Sequence, residues 1–237
     1  MKRIVKYGSL LVAAILLFFL VKHTFPFSDS WKQWNLPLSG KIIVLDPGHG
    51  GPDGGATKSG VKEEDITLLI AEKTRDYLQE QGALVLLTRE GDYDLADKDT
   101  KSLSRRKAQD LKSRVELINS SNADFFVSIH LNSFPSSNSQ GAQTFYYHAR
   151  EENERAAKFV QDEFRKSLEN TDRIAKEISR VYLLKHAKVP GVLIEAGFLS
   201  NSEERKWLKT KTYQEKVAEA LYRGIMRYYT DKGDPPD

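Results

Sequence analysis

The chain contains no cysteine, which excludes disulfides, thiolate nucleophiles, Cys-ligated zinc and iron–sulfur clusters, so any metal must be held by His and carboxylates. Histidine is scarce too: five in 237 residues leave few candidate ligands. Short-range signatures are also missing, with no His-Glu-x-x-His and no G-x-x-x-x-G-K-[ST] phosphate loop. Residues 47–55 (PGHGGPDGG) follow an apolar run and invite a nucleotide reading, but counting G-x-G-x-x-G from Gly48 puts Asp53 where the last glycine should be. These glycines instead let the backbone bend tightly around His49. There is no internal repeat and no low-complexity tract.

Excess charge is small, 36 Lys+Arg against 33 Asp+Glu. Four of those cations, Lys2, Arg3, Lys6 and Lys22, flank an N-terminal apolar stretch. Without them the remainder holds 32 basic and 33 acidic residues, and this near-neutral balance argues against a nucleic-acid partner. The stretch itself, Tyr7 to Val21 (YGSLLVAAILLFFLV), spans roughly 22 Å as a helix, somewhat less than a ~30 Å hydrocarbon core. No small-x-small cleavage signal comes after it, and Lys22, Phe25 and Phe27 suit a membrane interface. Residues 1–27 therefore read as an uncleaved signal anchor and 28–40 as a tether. The cations before the run hold the N-terminus in the cytoplasm, so the chain beyond Val21 is expected on the other side, membrane-anchored or secreted.

A fully apolar strand is expected from Lys41 to Asp46, then the glycine-rich loop and a helix from Glu63 to Gln81, ended by Gly82. The pattern repeats with a strand at 83–88, a helix at 103–119 and a strand at 124–130. Further strands are expected at 143–147, 181–184 and 192–195, with helices at 151–168 and 212–229. Strands alternating with helices predict an α/β fold, a single domain over 41–230 with a mostly parallel sheet and helices on both faces. Residues 231–237 read as a frayed tail.

In such sheets ligands gather beyond the carboxyl ends of the strands. His49 lies just past the first strand, His130 ends the third, Glu195 ends the strand before Ala196, and Glu63 sits in the first turn of the first helix. Two imidazoles and two carboxylates thus converge on one rim. Two His and one Glu make an open zinc shell with a fourth position left for water, and the second carboxylate is then free to move a proton.

The residues also match a family in order: DPGHGG at 46–51, GVKEED at 60–65, TR at 88–89, SIHLNS at 128–133 and VPGVLIEAGFLSN at 189–201. The chain resembles the zinc-dependent N-acetylmuramoyl-L-alanine amidases, which cut between the muramic acid lactyl group and the first L-alanine of peptidoglycan. Its short length and N-terminal anchor are similar to the germination-specific, spore-cortex members, whose product becomes muramic lactam, which implies a cell-envelope or forespore-envelope location. The resemblance implies one zinc held by His49, Glu63 and His130, and Glu195 as the catalytic carboxylate. The family usually has Glu-Lys-Asp where this chain has Glu63, Glu64 and Asp65, and register with Gly60 and Asp65 selects Glu63 over Glu64. Asp46 and Asn132 flank the ligands, fit to orient an imidazole or substrate group or to cap a turn. Arg89 and Arg114 match family positions, but each could simply pair with a carboxylate. His148, His186 and the charged run 98–107 read as structural or solvated. The competing readings are a wall-binding protein of the same fold without hydrolysis, or another zinc hydrolase acting on peptidoglycan.

Overall fold

The computed structural model describes residues 15, 17, 36–136 and 138–235. The anchor and tether expected over 1–40 lie almost wholly outside these residues, and among the described residues no helix is long and apolar enough to cross a membrane. From Pro37 onward the chain folds as one compact unit.

Its centre is a six-stranded sheet. In chain order the strands are β1 (Ile42–Pro47), β4 (Leu84–Leu87), β5 (Phe125–Asn132), β6 (Gln143–Tyr146), β7 (Lys176–Glu177) and β8 (Gly191–Phe198), while β2 (Thr57–Lys58) and β3 (Val61–Lys62) form a separate small hairpin. The order across the sheet is β4-β1-β5-β8-β6-β7, with β4, β1, β5 and β8 parallel. The sheet is thus mostly parallel, as expected, and the exception is its outer pair, since β6 runs antiparallel to β8. A parallel crossover needs a dozen or more residues, usually a helix. The ten residues 133–142 between β5 and β6 are too few for one.

The helices are α1 (Glu63–Glu80), α2 (Leu103–Ser120), α3 (Glu151–Leu168), α4 (Tyr182–His186), α5 (Ser202–Leu208) and α6 (Lys211–Thr230). One expectation fails here: 181–184 is no strand but runs into α4. Its apolar run is too short for periodicity to separate strand from helix. Leu183 and Leu184 are buried against the α2 face, and Lys185 and Ala187 donate backwards to the carbonyls of Val181 and Leu183. The hairpin, β7 and α5 had no expectation in the sequence.

The two faces of the sheet are covered unequally. Side chains alternate along a strand, so Ile43, Leu45, Phe125, Val127, Ile129, Val192 and Ile194 point one way, into a core completed by α1, α3 and α6. Val44, Phe126 and Leu193 point the other way and meet Val115 and Ile118 of α2 and Leu183 and Leu184 of α4. Continuing that second alternation brings Asp46, Ser128, His130 and Glu195 to the same face, towards the carboxyl ends of the strands. There α2 and the short α4 leave a cavity of about 310 Å³. Its lining includes His49, His130, Leu111, Leu183 and Leu193, with Arg180 among its polar groups.

Candidate metal centre

The loop after β1 carries His49, and its backbone is held by two buried arginines. Arg89 donates from Nε to the Pro47 carbonyl at 3.0 Å and from Nη2 to the Gly48 carbonyl at 2.9 Å. Arg114 of α2 donates from Nη1 to the Pro47 carbonyl at 2.9 Å and from Nη2 to the His49 carbonyl at 2.6 Å. Under this clamp His49 takes a left-handed conformation, φ 64°. Non-glycine residues adopt it at a cost and persist there only when their surroundings over-determine them.

Glu63 arrives from another direction. The β2–β3 hairpin delivers it as the first residue of α1, and both its carboxylate oxygens accept backbone donors, Oε2 from Ala56 at 2.8 Å and Oε1 from Leu131 at 2.9 Å. That second bond ties it to β5, next to His130. Glu63 Oε1 then lies 3.2 Å from His49 Nε2 and 3.0 Å from His130 Nδ1. The two imidazoles meet edge to face, their centroids 5.0 Å apart. One donor atom from each of His49, Glu63 and His130 lies within 4.8 Å of the others.

The donor set fits zinc, which takes imidazole nitrogen and carboxylate oxygen and in open sites needs only three protein ligands. The packing around it fits as well. A Cβ on Gly48 would collide with the His130 ring, and one on Gly55 would sit 2.6 Å from Glu63 Oε2 and 2.7 Å from His49 Cδ2. Only glycine lets the backbone approach the three side chains this closely.

Glu64, the competing neighbour, is buried outside this trio, with Oε1 accepting from Lys62 Nζ at 2.8 Å. Glu195 stands opposite His130 in the β5–β8 register, and its Oε2 is buried without a hydrogen-bond partner. Burial, and then the Glu63 charge, pushes its carboxyl up to about 8. Glu63 goes the other way: burial opposes its ionisation, but the bonds from His130 and His49 hold it far below the usual carboxylate range. Burial likewise works against charge on His49, yet Glu63 and Asp53 together raise its pKa.

Of the roles left open for Asp46, contact with an imidazole is not the one seen. Its oxygens accept from Thr88 Oγ1 at 2.7 Å, Ser128 Oγ at 2.6 Å and Arg114 Nη1 at 2.7 Å. Although burial alone would raise its pKa, Arg114 and the two hydroxyls hold it below the ordinary value. Arg114, paired with Asp46 and Asp110, and Arg89, bound to carbonyls, are supports of the His49 loop. Asn132 contributes a backbone carbonyl, accepting from Leu199 at 2.8 Å. His148 and His186 lie exposed, beside Glu177 and Tyr182 respectively.

Two residues at the centre were missed in the sequence, Asp53 and Lys107. Asp53 Oδ2 lies 3.1 Å from His49 Nδ1 and 3.0 Å from Lys107 Nζ. The available signal was a carboxylate four residues after a candidate ligand; Lys107 was hidden in a charged run read as solvated.

The α/β fold carries a His–Glu–His cluster that could hold a metal ion, with a further carboxylate nearby, and the N-acetylmuramoyl-L-alanine amidase family (Amidase_3) matches residues 43–227. The chain belongs to this family and is an N-acetylmuramoyl-L-alanine amidase. It is 56% identical over 237 residues to the germination-specific N-acetylmuramoyl-L-alanine amidase of Bacillus subtilis, with both chains covered in full. The amidase LytC of the same organism is 34% identical over 201 residues, 84% of this chain and 37% of that one. Among solved structures, the CwlD amidase of Clostridioides difficile, in complex with the GerS lipoprotein, superposes with a TM-score of 0.78 at 44% identity, covering 80% of this chain and 98% of that one.

Proposed function

We propose that this amidase hydrolyses the bond between N-acetylmuramic acid and the L-alanine of the stem peptide with one zinc ion held by His49, Glu63 and His130, and with Glu195 as the group that moves the proton. The observation that carries the reading is the convergence of the three donor atoms near the Glu195 carboxylate, whose Oε2 is buried without a hydrogen-bond partner. When bound, zinc supplies Lewis acidity, which makes water a competent nucleophile near neutral pH and polarises the amide carbonyl.

Glu195, as carboxylate, accepts the proton of the attacking water while the new C–O bond forms. It then returns that proton to the alanine nitrogen as the C–N bond breaks, leaving a lactyl carboxylate and a free amine. A general acid–base works best with a pKa near the operating pH, and burial moves Glu195 in that direction. The cavity on the same face supports a seat for the peptide side of the bond. Its apolar lining of Leu111, Leu183 and Leu193 suits a short aliphatic side chain, while Arg180 has no ionic partner among the described residues and suits a stem-peptide carboxylate.

The similarity to the B. subtilis germination-specific enzyme supports a role in spore-cortex maturation and germination. The basic, then apolar N-terminus supports extracytoplasmic action with residues 1–27 as anchor, 28–40 as tether and 41–230 as the catalytic domain. The test is digestion of purified peptidoglycan with zinc-loaded and chelator-stripped protein, followed by mass analysis. New amino groups on L-alanine, formed only with zinc, are the expected outcome. New reducing ends would indicate a glycosidase, other new peptide termini a different zinc hydrolase, and binding without fragments a wall-binding protein.

A further inference from the structure

An imidazole that ligates a metal through one nitrogen usually donates its other N–H to an outer partner, which fixes the ring and its tautomer. His49 has such a partner. Its Nε2 faces Glu63 at 3.2 Å, while Nδ1 faces Asp53 Oδ2 at 3.1 Å. Asp53 is in turn held on three sides. Lys107 Nζ reaches Oδ2 at 3.0 Å, the Gly55 amide donates to Oδ1 at 3.3 Å, and the Asp53 carbonyl accepts from Gly50 at 2.8 Å. The loop that begins at His49 therefore folds back so that residue 53 supports the ring of residue 49.

We infer that Asp53 is a positioning residue which keeps the His49 proton on Nδ1 and so leaves Nε2 to the metal, with Lys107 of α2 fixing the Asp53 carboxylate. This rests on His49 being a zinc ligand, as proposed above. Stability does not account for the arrangement. The side chains of Asp53 and Lys107 are 37% and 54% exposed, and ion pairs in such surroundings contribute little to folding. What the pair can do is orient. Among the described residues, Asp53 is the one carboxylate besides Glu63 in contact with His49, and Lys107 carries the connection to the helix whose Arg114 holds the His49 carbonyl. One helix thus secures both the backbone and the ring of the same residue.

The test is the zinc affinity of the metal-free full chain, measured by competition with a chromophoric chelator, together with long-range 1H–15N spectra of the zinc-loaded protein. Wild type must first bind one zinc per chain; failure there removes the metal reading itself, not only this inference. Asp53→Ala is expected to weaken zinc binding about 10–100-fold, the usual effect of losing an outer partner, and to abolish the slowly exchanging His49 Nδ1–H signal. Asp53→Asn, which keeps an acceptor oxygen, should restore most of the affinity, and Lys107→Met should cost a smaller factor. Thermal unfolding in chelator should be nearly unchanged in all three. Should Asp53→Ala fold poorly, Asp53→Asn and Lys107→Met still carry the comparison through the Nδ1–H signal. Zinc affinity within twofold of wild type in Asp53→Ala with an unaltered Nδ1–H signal, or equal losses in Asp53→Ala and Asp53→Asn, would overturn the assignment.

Discussion

His130 and Glu195 are direct neighbours in the parallel pairing of β5 and β8. A proposed ligand and a proposed proton carrier therefore share one rigid platform rather than sitting on separate loops. Their spacing is set by backbone register, so a change in the chemistry of Glu195 need not disturb the ligand beside it. Glu195→Gln should keep one zinc per chain while lowering the rate of amide cleavage by about 10²–10⁴, the range expected for a lost general acid–base. Metal content and turnover measured on the same preparation decide the matter; full activity in this variant would remove Glu195 from the mechanism.

Glu63 and Glu64 are adjacent buried carboxylates with different surroundings. Glu63 meets both imidazoles, whereas Glu64 meets Lys62. Glu63→Ala should lose zinc during dialysis and Glu64→Ala should retain it. The check is metal analysis after exhaustive dialysis, and equal zinc in the two proteins would contradict the ligand assignment.

Much of this arrangement could be read from the residues. The strand before Pro47, the helices starting at Glu63, Leu103 and Glu151, and the rim shared by His49, His130 and Glu195 follow from apolar runs, 3.6-residue spacing and the rule that ligands gather at strand ends. The features that escaped depended on contacts between remote segments. The 181–184 run became helical because Leu183 and Leu184 pack under α2, which no local pattern encodes. That Asp46 is the carboxylate Arg114 meets depends on strand alternation and the α2 docking, which together bring in a guanidinium from 68 positions away. Lys107 looked like one charge among many until the fold set it against Asp53.

Arg114 and Asp46 are both almost completely buried and bonded at 2.7 Å. Removing one member of a buried pair leaves the other charge uncompensated, at a cost of about 3–5 kcal/mol. Arg114→Met should lower the urea midpoint accordingly and release the His49 carbonyl along with the loop. Arg114→Lys should rescue little, because a single ammonium cannot reach Asp46, Asp110 and two carbonyls together. A urea midpoint near that of wild type in Arg114→Met would refute this support role.

The raised carboxyl of Glu195 makes a claim about stability against pH in the metal-free protein. Its folded-state pKa, about 8, lies above the ordinary 4.5, so the folded chain binds this proton more tightly than the unfolded chain does. The resulting stabilisation is complete below the ordinary value, declines as pH rises from there towards 8, and is then gone. Glu63 has the opposite sign, its stabilisation being lost only below its ordinary range, so it contributes little slope in this window. His49, raised above the ordinary imidazole value, also loses stabilisation as pH rises, but wild type and Glu195→Gln share that loss. In chelator, wild type should therefore lose more thermal stability between about pH 5 and about pH 8 than Glu195→Gln, with a difference of several °C in Tm. Scanning calorimetry of both proteins at matched ionic strength reads this directly, and parallel Tm profiles would show that Glu195 ionises in the folded protein as freely as in water.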